Sequence, residues 1–86
     1  MIIHVTTEDL QKGKANDCLR CPVARAICRQ VADVEFIQVD SDFIRVQCVC
    51  GPVQKIETPE HVAKAIDRID MGLAHSTLPF SFELPL

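Results

Sequence analysis

The residues whose types and spacing could do chemistry stand in one short run, Cys18-Leu19-Arg20-Cys21. Cys21 directly precedes Pro22, and proline is favoured at the first position of a helix, so Cys21 is expected at the helix N-cap. The free N–H groups and the dipole of a helix N-terminus stabilise a thiolate and lower its pKa. The run therefore suits either a redox dithiol or half of a metal site.

A redox dithiol fits the sequence poorly. In thioredoxin-like folds the first cysteine of the pair opens the helix, whereas Pro22 indicates that the second one does so here. The motif also follows a polar stretch, residues 12–17, instead of leaving a strand directly. A small redox dithiol protein is therefore the third of the functions that we consider.

A zinc site would need two further ligands, and Cys48 and Cys50 could close a tetrahedral site with Cys18 and Cys21. A Cys-x-Cys pair on a strand is a poor half-site, since its sulfurs project from one face about 6.6–7 Å apart. The competing interpretation treats the cysteines as small buried hydrophobes. Cys28 lies beside an apolar helical stripe, and Cys48 and Cys50 continue an apolar strand face. We expect buried thiols and no metal or other cofactor.

Other catalytic constellations are missing from the sequence. His4, His61 and His75 have no partner at ligand spacing, and the three glycines are isolated instead of forming a phosphate-binding loop. The acidic run Asp40-Ser41-Asp42 is explained by turn chemistry. We therefore expect a protein that is not an enzyme.

The elements that must position these residues follow from hydrophobic periodicity. A capped single turn is predicted at residues 7–10, and Thr58 and Pro59 are predicted to open the second helix. Gly72 should end that helix. The predicted strands span residues 2–6, 34–39, 43–49 and 80–84, with an edge segment at 53–56, and the first helix spans residues 22–31.

The predicted order is β-α-β-β-α-β. Strands and helices in this order fit a single α+β domain over residues 1–86, with one sheet and two helices packed on one face.

Charge and hydropathy exclude several classes of partner. Nine Lys and Arg against twelve Asp and Glu give a net charge of −3, so direct nucleic-acid binding is not expected. No apolar run approaches the roughly 20 residues that cross a bilayer. The first residues also lack the basic segment that precedes the apolar segment of a signal peptide. Five cysteines are an odd number, which argues against a disulfide framework. These features predict a cytoplasmic protein without a membrane partner, and they leave the oligomeric state open.

Two segments resemble a known family. The run Asp17-Cys18-Leu19-Arg20-Cys21-Pro22-Val23-Ala24-Arg25-Ala26-Ile27 and the run Pro79-Phe80-Ser81-Phe82 are similar to segments of small bacteriophage and prophage proteins. Those proteins have a Cys-Pro-(Val/Ile)-Ala helix start and a terminal strand near a Pro-Phe-x-Phe motif. In size and charge the chain also looks like anti-CRISPR counter-defence proteins.

The resemblance implies a setting and a kind of partner, and it transfers no activity to any residue. It implies a protein-binding module in the cytoplasm of the host cell, acting as a stoichiometric inhibitor of a host defence protein. The alternative function is a zinc-stabilised structural or nucleic-acid-associated domain that uses Cys18, Cys21, Cys48 and Cys50.

Binding is expected on exposed polar segments at the ends of elements, where a surface can vary without disturbing a core. Two segments fit this description, residues 12–20 and residues 40–42. The candidate binding residues are Lys12, Lys14, Asp17, Arg20, Asp40 and Asp42.

Overall fold

A computed structural model describes all 86 residues and shows an α+β domain. The predicted fold class is therefore confirmed, and the predicted elements occur in the predicted order. The single turn predicted at residues 7–10 is a helix, and the edge segment predicted at 53–56 is a strand. The elements are β1 (Ile2–Val5), α1 (Thr7–Lys12), α2 (Pro22–Gln30), β2 (Val34–Val39), β3 (Phe43–Cys48), β4 (Gln54–Glu57), α3 (Glu60–Asp70), a 3₁₀ turn (Ala74–Ser76) and β5 (Phe80–Glu83).

The prediction of a single sheet is wrong, because the five strands form two sheets. β1 pairs antiparallel with β5, and β2, β3 and β4 form a separate antiparallel meander. The free edge of β1 is closed by a side chain: the Gln30 amide accepts from the His4 N–H at 2.9 Å and donates to the His4 carbonyl at 2.6 Å. On β2, the Val39 N–H donates to the Cys18 carbonyl at 2.8 Å. Groups that could have joined the two sheets are thus already satisfied.

The helix α1 is longer than the single turn predicted at residues 7–10, and its N-cap is Thr6, just before that predicted segment. The Thr6 hydroxyl accepts from the Asp9 N–H at 3.3 Å, and the Asp9 carboxylate accepts from the Thr6 N–H at 2.9 Å. This reciprocal pair is a capping box. It satisfies two backbone donors and extends the helix to Lys12.

The helix α3 starts one residue later than predicted. Its N-cap is Pro59, and no side chain caps it. The Thr58 hydroxyl instead donates to the Asp40 carbonyl at 2.8 Å, which ties the start of α3 to the β2–β3 turn. Gly72 ends the helix as predicted: it has φ +86, and the N–H of Leu73 reaches the carbonyl of Arg68 at 2.9 Å.

A single hydrophobic core of 17 buried residues joins all three α-helices to both sheets. Val62, Ile66, Ile69 and Leu73 recur at helical spacing and are predicted to form the apolar stripe of α3. The first three are buried in the core, whereas Leu73 is half-buried. Phe82 of β5 joins the same core. None of the helices is both long enough and apolar enough to span a membrane.

Candidate functional site

The loop before α2 is held by hydrogen bonds to its own backbone and to one side chain. The Lys14 N–H donates to the Arg20 carbonyl at 2.8 Å, and the Cys21 N–H donates to the Asp17 carbonyl at 2.9 Å. The Asp17 carboxylate accepts from the N–H groups of Leu19 and Arg20 at 2.9 and 3.1 Å. Asp17 therefore shapes the loop from within.

The turn between β2 and β3 is built in the same way. One oxygen of the Asp40 carboxylate accepts from the N–H groups of Asp42 and Phe43 at 2.9 and 2.8 Å. Such side-chain bonds to the backbone two and three residues ahead are the reason that aspartate favours turns. The turn joins the antiparallel strands β2 and β3 as a hairpin, and Asp42 lies exposed at its tip.

These two segments, distant in the sequence, form one surface, which we call the loop–turn surface (residues 12–20 and 40–42). The bond from Val39 to Cys18 joins them, and a cavity of about 280 Å³ lies between them. The residues that line it are Asn16, Asp17, Cys18, Cys21, Val39, Asp40, Ser41, Ile66 and Asp70.

The cavity has an acidic lining, because three carboxylates and no cation line it. Asp17 and Asp40 were predicted binding residues. Asp70 was missed, and it holds the loop by accepting from the Asn16 N–H at 2.8 Å. Nothing in the sequence pattern pairs position 16 with position 70, so this contact could not have been predicted.

The other predicted residues do not line the cavity. Lys12 belongs to α1, where its ammonium lies 2.8 Å from the carboxylate of Glu8. Lys14, Arg20 and Asp42 are exposed, and no ion pair engages their side chains. They remain candidates for contact with a partner.

Cys21 occupies the predicted N-cap position of α2, and its sulfur accepts from the Ala24 N–H at 3.4 Å. The side chain is only 4% exposed. Burial raises the pKa of the Cys21 thiol and outweighs the hydrogen bonds from the N–H groups of Ala24 and Val23. Burial therefore overrides the pKa-lowering effect of the helix N-terminus, and the expectation of a buried thiol is confirmed for Cys21, which lies beside an exposed Cys18.

The four cysteines considered as zinc ligands do not come together. No group of three or more His, Cys, Asp or Glu side chains is placed to hold a metal ion. Cys48 and Cys50 line a separate depression with Ala32, Asp33, Val49 and Gly51.

The expectation of buried cysteines is also wrong for most of them. Cys18, Cys28 and Cys50 are exposed and Cys48 is half-buried. The predicted strand face stops early because β3 ends at Cys48 and the chain turns at the next two residues. Only Cys21 fills a core position.

A serine–histidine contact exists that the sequence did not reveal. His4 and Ser81 are cross-strand partners in the β1–β5 sheet, and the His4 Nδ1 lies 2.8 Å from the Ser81 hydroxyl. Both residues are exposed, and no acidic side chain orients the imidazole as in a catalytic triad. The Nε2 of His61 lies 2.8 Å from the Ser81 carbonyl. Both histidines therefore hold strand β5 in place through Ser81, and we assign them no catalytic role.

The geometry thus defines a small α+β domain whose two polar segments meet at an acidic cavity. Comparisons with models of protein families, with curated proteins and with solved structures found no match.

Proposed function

We propose that this protein is a protein-binding module that acts in the host-cell cytoplasm as a stoichiometric inhibitor of a host defence protein. The observation that carries the binding role is the loop–turn surface, where two exposed segments meet at one acidic cavity. The nature of the target rests on the resemblance of the Cys21-Pro22 helix start to small phage proteins.

The loop–turn surface is suited to binding because its backbone is already ordered. Asp17 and Asp40 each fix their own segment through two backbone N–H groups. Binding would therefore cost little conformational entropy at this surface. The ordering of loops and side chains is one of the main costs that oppose association. Preorganised surfaces keep more of their contact energy as affinity.

The side chains around the cavity indicate the chemistry of the partner. Leu19 is 52% exposed, and its N–H donates to the Asp17 carboxylate of the cavity. An exposed apolar residue within a polar rim is a common anchor. The acidic lining favours a basic side chain on the partner. A domain of this size can present about 800 Å² to a partner, which is a standard interface.

Inhibition can be tested by titration. The protein is used to capture a target from a bacterial lysate, and the activity of the purified target is measured against increasing protein. We expect inhibition that is complete at one equivalent and reversed by excess target. Loss of target activity at far below one equivalent would show turnover and contradict the proposal.

The binding surface can be tested with matched double variants. Leu19→Ala with Arg20→Ala should weaken binding at least about tenfold, because it removes an exposed anchor and a cation of the loop. Leu78→Ala with Lys64→Ala removes a leucine and a cation from exposed positions elsewhere. This control should bind as the wild type does. Equal loss in both variants would place the interface elsewhere.

A further inference from the structure

The three-stranded sheet has an open face, which we call the outer sheet face. Ile37, Val39, Ile44 and Val46 point from β2 and β3 into the core. The intervening side chains point away from it, and none of them is buried. The residues of this face used below are Phe36, Gln38, Phe43, Arg45, Gln47, Lys55 and Glu57.

Two cations stand side by side at the centre of this face. Arg45 and Lys55 are directly opposite each other in the β3–β4 register, an arrangement that destabilises a sheet when the charges are alike. Neither cation forms an ion pair: an Arg45 guanidinium nitrogen lies 3.3 Å from the Gln38 amide oxygen, and the Lys55 ammonium lies 4.1 Å from the centroid of the Phe43 ring. The needs of the fold do not explain this pair, whereas an acidic ligand would.

Apolar side chains flank the two cations. Phe36 and Phe43 are 43% and 37% exposed, and they lie towards opposite ends of the β2–β3 pair. Aromatic residues and arginine are the types enriched at protein interfaces. Glu57 lies opposite Phe43 on the same face, so the pattern is two cations between two apolar side chains, with one carboxylate at the edge of the sheet.

We propose that the outer sheet face binds an acidic segment of a partner protein. Arg45 and Lys55 would contact carboxylates of that segment, and Phe36 and Phe43 would contact its apolar side chains. This inference rests on the proposed function and adds a second contact region to the loop–turn surface, with the opposite charge preference.

A protein segment fits this face better than a nucleic acid. The chain carries a net charge of −3, which opposes a phosphate backbone at long range. Two cations also match a few carboxylates better than a continuous run of phosphates.

Nuclear magnetic resonance with defined probes tests this inference. The isotope-labelled full chain is titrated with a short synthetic peptide of glutamates interrupted by two leucines. We expect saturable shifts confined to β2, β3 and β4. A matched peptide with lysines in place of the glutamates should cause none. Absence of saturable shifts, shifts confined to other elements, or tighter binding of oligothymidylate at this face would overturn the proposal.

A matched pair of variants locates the contact. Arg45→Gln should weaken peptide binding by about twofold to fivefold without lowering the unfolding midpoint, because Arg45 has no carboxylate partner in the fold. Lys64→Gln changes the net charge equally at an exposed position of α3 outside both proposed surfaces and should bind as the wild type does. Equal weakening by the two variants would show that only the net charge of the protein matters, and this would overturn the proposal.

The two proposals fail in different ways. If Arg45→Gln still inhibits a captured target at one equivalent with unchanged affinity, the outer sheet face is dispensable and the proposed function stands. If the peptide binds this face but the wild type inhibits no captured target, the inhibitor function is contradicted and the binding role of the outer sheet face is supported.

Discussion

At the scale of single residues, the carboxylate of Asp9 holds the first two helices together. Its side chain is fully buried, and its two oxygens accept from the Arg29 guanidinium at 2.8 and 3.3 Å. The Arg25 Nε lies 3.2 Å from the same carboxylate, within ion-pair distance but without hydrogen-bond geometry. Burial alone raises the pKa of Asp9, but the bonds from Arg29 and Thr6 outweigh it and leave that pKa below its usual value.

Replacing Asp9 with Asn should lower the free energy of unfolding by about 2–4 kcal/mol at neutral pH, because two charge-assisted bonds are lost in a buried place. A depressed folded-state pKa stabilises the fold above the unfolded value of about 3.9, and this contribution disappears as pH falls through the folded value. Urea unfolding of wild type and variant should therefore converge in acid. Glu8→Gln, at an exposed position that pairs with Lys12, is the control and should change the midpoint little. A constant difference down to low pH would contradict this role for Asp9.

The thiol of Cys21 shows how two local effects compete. The sequence places the sulfur at a helix N-terminus, which lowers a thiol pKa, but it does not show that the side chain is 4% exposed. Ile66 and Asp70 line the same cavity as Cys21 from a helix more than forty residues away, and a single sequence does not reveal that proximity. The sequence could thus predict the cap and not the protonation state.

Alkylation of the native protein near neutral pH should therefore modify Cys18 and leave Cys21 unreacted, because Cys21 is both shielded and held as a neutral thiol. Mass spectrometry of peptides after a timed iodoacetamide pulse measures this directly. In urea both cysteines should react, which controls for intrinsic reactivity. Faster labelling of Cys21 than of Cys18 in the native state would show that Cys21 is a thiolate, as the helix position alone predicts.

At the scale of elements, the sequence was informative wherever a local signal decides the structure. Pro22 and Gly72 predicted the start of α2 and the end of α3 because their backbone preferences act locally. Thr58 misled because a more distant partner, the Asp40 carbonyl, takes its hydroxyl. The role of Gly13 was also hidden: it follows α1 with an ordinary φ of −70, so its small size matters more than its backbone freedom.

Gly13→Ala should lower the free energy of unfolding by about 1–3 kcal/mol, the usual result of overpacking. An added Cβ would lie 2.4 Å from the Pro22 nitrogen and 2.7 Å from the Pro22 Cα, and the start of a helix cannot easily yield. Gly51→Ala is the matched control, since an added Cβ there meets no atom within 4 Å. Thermal unfolding should separate the two variants. Equal midpoints would show that the loop relaxes freely around Pro22.

At the scale of the whole molecule, the sequence predicted the class and the order of elements but not the division into two sheets. Strand pairing between positions 2–5 and 80–83 depends on which edges remain free. Side chains such as Gln30 close those edges, and a single sequence gives no signal for such contacts. The candidate surface followed the same rule: both segments could be predicted, and their meeting at one cavity could not.

The two sheets should nevertheless unfold together, because one core of 17 residues joins them. Phe82→Ala removes a side chain of β5 that is 4% exposed, and its loss should lower the free energy of unfolding by about 3–5 kcal/mol. The total free energy of unfolding of a domain of this size is roughly 4–13 kcal/mol, so the substitution should destabilise both sheets.

Hydrogen exchange can follow amides of β1 and of β3 separately in this variant, with the exposed Glu83→Ala of the same strand as the control. Protection should fall by the same factor in both strands if unfolding is a single transition. A loss confined to β1 would show that the β1–β5 sheet opens on its own. The three-stranded sheet with its helices would then be the stable unit of this fold.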